Sequence, residues 1–350
     1  MGAMESDRLL LLCRPGFEGD TAAEIQAAAG EIGFPGYCRA SADTGRVTLF
    51  PSVGAITEFT DHWRLADALF PRQAFLTAEP VPLPDRDRVS TILATLGDEP
   101  VRELVTETPD SEAGRAWTRL ARALEGPLRR GLTDAGLWQP DSGAPRLHLL
   151  LDDDGAHIGL ASAGLDDSRP GGIPRLKRPK SAPSRSFLKL EEAWQTFLDD
   201  EERARALQPG MRAVDLGAAP GGWSWLLQRR GLEVLAVDNG PLKGEVATAD
   251  GVTHIRADGF TWRPPRPVDW LVCDMVERPQ RVAALAADWF AAGRCRYAVF
   301  NLKLPMRRRY AAVEECLKVV RDHLGGAPAR VAAHHLYHDR DEVTAFIGPA

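Results

Sequence analysis

Two residues of this 350-residue chain stand where a charge is costly. Asp274 follows the apolar run Trp270-Leu-Val-Cys and Lys303 follows Tyr297-Ala-Val-Phe-Asn-Leu, so an acid and a lysine each end a strand with the pattern of a buried one. Charged groups so placed are rarely buried without partners. Together they suit proton removal from a substrate hydroxyl. An unaided lysine, with an ordinary pKa of about 10.4, is a poor base at neutral pH, and desolvation or a second cation would lower it. Lys189, the last cation of a basic segment, is the candidate for that second cation. Taken singly, each lysine reads as well as an ordinary salt-bridge partner.

The stretch that would hold a cofactor beside them is Val214-Asp-Leu-Gly-Ala-Ala-Pro-Gly-Gly-Trp223, an apolar strand running through a glycine turn into a helix. Open α/β sheets bind ligands at the carboxyl ends of their strands, and the acids found there are Asp215, Asp238, Asp258 and Asp274. Asp238 ends the strand after the turn, the place of an acid that holds a ribose diol. The turn departs from the dinucleotide fingerprint: its glycines 217, 221 and 222 are spaced differently, and Pro220 removes an N–H that a pyrophosphate would need. A cofactor without phosphates fits better, and S-adenosylmethionine is one. A plain strand-to-helix bend is the alternative.

The elements that position these residues are regular from Leu190 onward. Helix 190–198, strand 213–216, helix 222–230, strands 233–238, 253–257 and 269–273, helix 279–291, strand 297–302, helix 307–324 and strands 330–337 and 343–347 imply a mainly parallel, Rossmann-like sheet. The last two strands have no helix between them, so one is expected to run antiparallel at the edge. Before residue 165 the pattern is a smaller α/β or α+β region without a cofactor turn. It reads as strand 9–13, helix 21–29 capped by Asp20, strand 47–50, a helical face over 56–70 (Phe59, Trp63, Ala66, Phe70), a proline-rich connection 78–87, helix 88–96 and strand 102–106. A long helix capped by Asp110 or Ser111 follows, then a hairpin of 146–151 with 157–161 turned by Asp-Gly. Arg115, Arg119, Arg122, Arg129 and Arg130 on the long helix suit either RNA or plain solvation. The domain expectation is thus 4–165, a linker 166–189, and 190–350.

Within that linker, Arg169, Arg175, Lys177, Arg178, Lys180, Arg185 and Lys189 lie in a stretch without acids, and four prolines keep it from forming one helix. Such a segment can lie along a phosphate backbone, although the chain as a whole carries −6. A merely solvated linker is the plainer alternative. Five cysteines without C-x-x-C spacing imply neither a disulfide framework nor a metal site, and no apolar run is long enough for a membrane span or a signal peptide. A cytoplasmic, monomeric protein without metal is expected. Met1-Gly-Ala ahead of Met4 reads as an added leader and is left out of the fold.

Ser184-Arg-Ser-Phe-Leu-Lys-Leu190, the turn 215–223, Val272-Cys-Asp-Met275, Asn301-Leu-Lys-Leu304 and Arg340-Asp-Glu-Val343 resemble the signature stretches of the FtsJ-type ribose 2′-O-methyltransferases. The resemblance implies a catalytic tetrad of Lys189, Asp274, Lys303 and Glu342, with Lys303 as base, Asp274 and Glu342 orienting it and Lys189 keeping its pKa low. It implies a pocket for S-adenosylmethionine at Ser186, Gly217, Ala219, Pro220, Gly221, Gly222, Trp223, Asp238, Asp258 and Asp274. Cys13-Arg-Pro-Gly-Phe-Glu18, Gly172-Ile-Pro-Arg-Leu-Lys177, Asp238-Asn-Gly-Pro241 and Leu336-Tyr-His-Asp-Arg340 extend the likeness to nearly the whole chain, least over 80–145. They are similar to ribosomal RNA methyltransferases that join such a domain to an N-terminal THUMP-type RNA-binding region. That likeness implies methylation of one cytidine ribose in 23S rRNA, as free rRNA or in an assembling large subunit. The alternatives are another RNA, a base methyltransferase, a nicotinamide oxidoreductase and a catalytically silent assembly factor. Asp274-Met-Val-Glu277 differs from the Asn-Pro-Pro-Tyr loop of N-methylating enzymes, and no Pro-Cys attack motif is present.

Overall fold

Two seven-stranded sheets form, each from strands of its own half of the chain. The computed structural model describes residues 4–350, so the expectation for Met1-Gly-Ala lies outside the described residues. The chain divides into two compact units, the first ending at Ile173 and the second spanning Pro174–Ala350. The division falls inside the segment 166–189.

The first unit contains β1 (Arg8–Leu12), α1 (Glu18–Glu31), β2 (Gly36–Ala40), β3 (Arg46–Pro51), α2 (Thr57–Thr60), β4 (Gln73–Thr77), α3 (Arg88–Leu96), β5 (Glu103–Glu107), α4 (Glu112–Asp134), β6 (Arg146–Asp152) and β7 (Gly155–Ala161). Its sheet runs β2-β3-β1-β4-β7-β6-β5, antiparallel except for β5 and β6. Ser111 caps α4 by accepting the Gly114 N–H at 3.0 Å, and β6 and β7 pair as a hairpin through Asp152 and Gly155, as the sequence predicts. Two expectations are corrected. Asp20 is not a cap but lies inside α1, which starts earlier because the buried Glu18 carboxylate accepts N–H groups from Gly16 and Gly45. The segment 56–70 is not one helix. Phe59, Trp63 and Phe70 are buried and Ala66 is exposed, and the Glu24 carboxylate holds the Leu69 and Phe70 N–H groups at 2.6 and 2.9 Å, where no helix can use them.

The second unit contains α5 (Phe187–Phe197), α6 (Asp200–Ala206), β8 (Arg212–Leu216), α7 (Gly222–Arg229), β9 (Glu233–Val237), β10 (Val252–Ile255), β11 (Val268–Cys273), α8 (Pro279–Ala291), β12 (Cys295–Lys303), α9 (Arg309–Leu324), β13 (Ala329–His334) and β14 (Glu342–Pro349). The order is β10-β9-β8-β11-β12-β14-β13, parallel through β12. β14 runs antiparallel to both neighbours, one place inside the edge. Trp270, Val272, Val299 and Phe346 share a core with Trp194 of α5 and Leu227 of α7. The alternate residues Leu271, Phe300 and Ile347 are buried on the other face, where α8 lies against β12 with α9 beside it. Helix α6, unanticipated, opens on a capping box of Asp199 and Glu202. No described helix is long and apolar enough to cross a membrane.

Candidate active site

Register decides what meets at the top of the second sheet. In the parallel pair β11 and β12, Cys273 lies opposite Phe300, so Asp274 emerges beside Asn301. In the antiparallel pair β12 and β14, Lys303 lies directly opposite Glu342 and Asn301 opposite Thr344. Cross-strand partners are the closest neighbours a sheet offers. Lys303 Nζ donates to Asp274 Oδ1 at 2.7 Å and to Glu342 Oε2. Lys189, on the first turn of α5, donates to Asp274 Oδ2 at 3.3 Å and pairs with Glu342 Oε1. The four residues expected to act together therefore form a closed ring, two lysines alternating with two carboxylates. Its formal charge is zero, which makes its burial affordable.

The ring sets its own acidities. Burial pushes Asp274 up, but the charges of Lys189 and Lys303 and the hydrogen bonds from Lys303 and Asn301 win, and its carboxyl lies below the usual range. Burial pushes the Lys303 ammonium down, but the charges of Asp274 and Glu342 and the hydrogen bonds to them win, and its pKa lies above the ordinary lysine value. This reverses the expected direction. Lys189 shares both carboxylates with Lys303, and its charge helps to hold Asp274 in the ionised form.

Behind the ring lies a layer that the sequence reading missed. Asn301, fully buried, donates through Nδ2 to Asp274 Oδ1 at 2.8 Å and accepts the Thr344 hydroxyl at 2.9 Å. Thr344 Oγ is also 3.0 Å from the carboxyl of Asp339, which burial and the nearby Glu342 charge raise well above its ordinary value. The available signal was an asparagine inside an otherwise apolar strand.

Beside Asp274 opens a cleft of about 330 Å³. Gly217, Ala219, Asp238, Asp258 and Asp274, all expected in a cofactor pocket, line it, as do Met275 and Glu277, which were not singled out for it. The Asp238 carboxylate is fixed by the N–H groups of Ala219 at 3.0 Å and Gly240 at 2.7 Å, and Asp258 accepts the Phe260 N–H at 2.9 Å. Gly217 has φ +80°, and a Cβ there would sit 2.7 Å from Met275 Cγ, so the backbone approaches the cleft as only glycine permits. Four acids and no basic side chain line the cleft, which fits a cationic, phosphate-free cofactor and opposes a pyrophosphate.

The remaining expected cofactor residues support the turn instead of lining the cleft. Ser186, Pro220, Gly221, Gly222 and Trp223 are absent from its walls. Trp223 is buried and donates its indole N–H to the Ser186 carbonyl at 2.8 Å, while a Cβ on Gly222 would lie 2.2 Å from the Ser186 hydroxyl. A Cβ on Gly221, at φ +112°, would meet Val246 at 2.6 Å, and the Pro220 carbonyl accepts the Lys243 N–H at 2.9 Å. Asp215, at the end of β8, accepts the Ser224 hydroxyl at 2.7 Å. Burial, with repulsion from Asp274 and Asp238, pushes its carboxyl up to about 7.

Of the seven cations of 169–189, Arg169 pairs with Asp167 and Lys189 belongs to the ring. Arg175, Lys177, Arg178, Lys180 and Arg185 are exposed, with no side-chain partner among the described residues. The first unit has a larger cleft, about 460 Å³, but its Arg146 and Arg169 are already held by Glu103, Asp166 and Asp167. The grouping of Asp152, Asp154 and His157, which has the donor set of a metal site, holds the Arg46 guanidinium, 2.9 Å from Asp152 and 2.8 Å from His157.

Comparison with known proteins gives matches in both halves. A family described as FtsJ-like methyltransferase matches residues 182–304, and one described as RlmM ferredoxin-like domain matches residues 5–75. The chain is 46% identical over 347 residues to the ribosomal RNA large subunit methyltransferase M of Stenotrophomonas maltophilia, covering 97% of each. It is 46% identical over 349 residues to the protein of that name from Thauera aminoaromatica, covering 97% of this chain and 95% of that one. Among solved structures, TrmN from Thermus thermophilus aligns over 98% of this chain and 99% of that one, at 16% identity and a TM-score of 0.35.

Proposed function

The chain belongs to the ribosomal RNA large subunit methyltransferase M family, and from that premise we propose that it methylates the ribose 2′-hydroxyl of one cytidine in 23S rRNA through Lys303, Asp274, Glu342 and Lys189. It is an S-adenosylmethionine-dependent enzyme of large-subunit rRNA. The observation that carries the proposal is the closed ring of two lysines and two carboxylates, with Asp274 common to the ring and to the cofactor cleft.

When bound, S-adenosylmethionine supplies an electrophilic methyl group. Gly217 and Ala219 would pass close along it, and Asp238 and Asp258 would take its polar edge, as the cleft lining supports. Asp274 and Glu342 hold Lys303 Nζ in one place, so a hydroxyl set beside it is oriented before reaction. The 2′-oxygen loses its proton to the neutral form of Lys303, a minor species at neutral pH because the same carboxylates favour the ammonium. Lys189 balances the charge of both carboxylates while this happens. The first unit, with its ferredoxin-like family match, is the THUMP-type RNA-binding region in this reading, and the exposed cations of 175–185 follow the RNA backbone.

Ribose-methylation mapping of 23S rRNA from cells with and without the gene tests the proposal. One cytidine should lose its 2′-O-methyl group without the gene and regain it with the intact protein but not with Lys303→Ala. A methyl group found on a base, or no change in any rRNA position, would refute it.

A further inference from the structure

Among the described residues five large apolar side chains are exposed, and only Val276 and Met306 stand clear of the protein almost entirely, at 90% and 91%. The next, Val53, reaches 73%. Scattered apolar residues on a surface are ordinary, but these two are not scattered. Val276 follows Asp274 by two positions on the loop leaving β11, and Met306 follows Lys303 by three on the loop leaving β12. β11 and β12 are paired in parallel, so both loops leave the same end of the sheet, the end at which Asp274 and Lys303 meet. Val276 also borders the cofactor cleft.

The cations on these loops have the same character. Arg278 follows Val276 closely, and Arg307 and Arg308 follow Met306 directly. All three side chains are exposed, and none has a hydrogen-bonded or ion-paired partner among the described residues. Arg308 holds φ +57°, a conformation that costs a non-glycine residue energy, and it ends the short loop between β12 and α9. Apolar side chains interleaved with unpaired arginines offer a face for a base and charges for the phosphates on either side of it. An acidic protein partner would meet the arginines but would leave the apolar pair without a purpose at this place.

We propose that Val276 and Met306 form an apolar seat for the base of the target nucleotide or its immediate neighbour, with Arg278, Arg307 and Arg308 holding the adjoining phosphates. The proposal rests on the reading of the ring as an RNA ribose methyltransferase site. A ribose at Lys303 must carry its base and its two phosphates across this rim. The seat selects an unpaired nucleotide, because a base stacked in a helix cannot present its face to it.

The test uses the full chain and 23S rRNA purified from cells lacking the gene, with Met306→Ser, Val276→Ser and the pair Arg307→Gln with Arg308→Gln. Exposed positions tolerate such changes without loss of fold. Met306→Ser should lower single-turnover methyl transfer at limiting RNA by about 10-fold, equally at about 50 and about 200 mM salt, with cofactor affinity by calorimetry within about two-fold. The arginine pair should reduce the slope of log K against log salt by roughly 1.5, the loss of two phosphate contacts. Transfer by the wild type together with unchanged transfer by both Met306→Ser and Val276→Ser overturns the seat and leaves the ribose reading standing. A wild type that binds S-adenosylmethionine but transfers nothing to this rRNA overturns that reading, and the seat with it.

Discussion

At the scale of single residues the ring is decided by a competition between burial and pairing, and pairing wins at both Asp274 and Lys303. The consequences have opposite signs. Asp274, with a lowered pKa, contributes stability that is present above the ordinary carboxylate range and lost as pH falls through its folded value. Lys303, with a raised pKa, contributes stability that is present below the ordinary lysine value and lost as pH rises through its folded value. The ring is therefore intact across the neutral range. In the proposed mechanism catalysis has the reverse dependence, because its proton acceptor is the minor, neutral form of Lys303. Log rate in single turnover should rise with unit slope from about pH 7 to beyond about pH 9, without a plateau near neutrality. Lys303→Ala should remove at least about 100-fold of the rate and leave cofactor affinity within a few-fold. A pH–rate profile and calorimetry on the same preparation check both. A plateau below pH 8 would show that the resting ring is not the reacting one.

At the scale of elements, the strand β8, its glycine turn and α7 show how a fold stores unfavourable chemistry beside a site. Asp215, the last residue but one of β8, is fully buried, and its carboxyl is raised to about 7 where the unfolded chain would titrate near 4. A raised carboxyl binds its proton more tightly when folded, so it costs stability as pH rises from about 4 to about 7 and adds no further cost above. The cost is on the order of 4 kcal/mol. Asp215→Asn keeps an acceptor for the Ser224 hydroxyl and cannot ionise. Its denaturation midpoint in urea should exceed that of the wild type at pH 8 and approach it at pH 4. Equal midpoints at both pH values would place the cost elsewhere.

At the scale of the whole molecule, the ring, the cleft proposed for the cofactor and a large apolar core all lie within Pro174–Ala350. A 174–350 fragment should fold and bind S-adenosylmethionine within a few-fold of the full chain, while losing most of its RNA affinity. Circular dichroism and calorimetry on that fragment decide it, and a folded fragment with far weaker cofactor binding would contradict it. RNA binding by the full chain should depend steeply on salt despite the net charge of −6. With five exposed cations on 175–185, contact by three or four of them gives a slope of log K against log salt of roughly −2 to −4. Reversing Arg175, Lys177 and Arg178 to Glu should flatten that slope without altering cofactor affinity.

The sequence alone determined the order of strands and helices in the second unit, α6 excepted, with several ends displaced by two or three residues. Apolar strands and amphipathic helices alternate there with clear periods, and local pattern is what fixes local structure. It also marked Asp274 and Lys303, since a charge at the end of an apolar run stands out without any knowledge of the fold. It misread 56–70 because apolar residues at helical spacing can be buried by an irregular segment when a distant carboxylate, here Glu24, takes the backbone N–H groups. Only the tertiary structure brought Glu342 onto Lys303 through the antiparallel register of β14, joined Lys189 of α5 to both carboxylates, and placed Asn301 and Thr344 behind them. The direction of the Lys303 pKa belongs to the same class. It depends on how many opposite charges lie within a few ångströms, and that number is set by chain segments far apart in sequence that pack side by side.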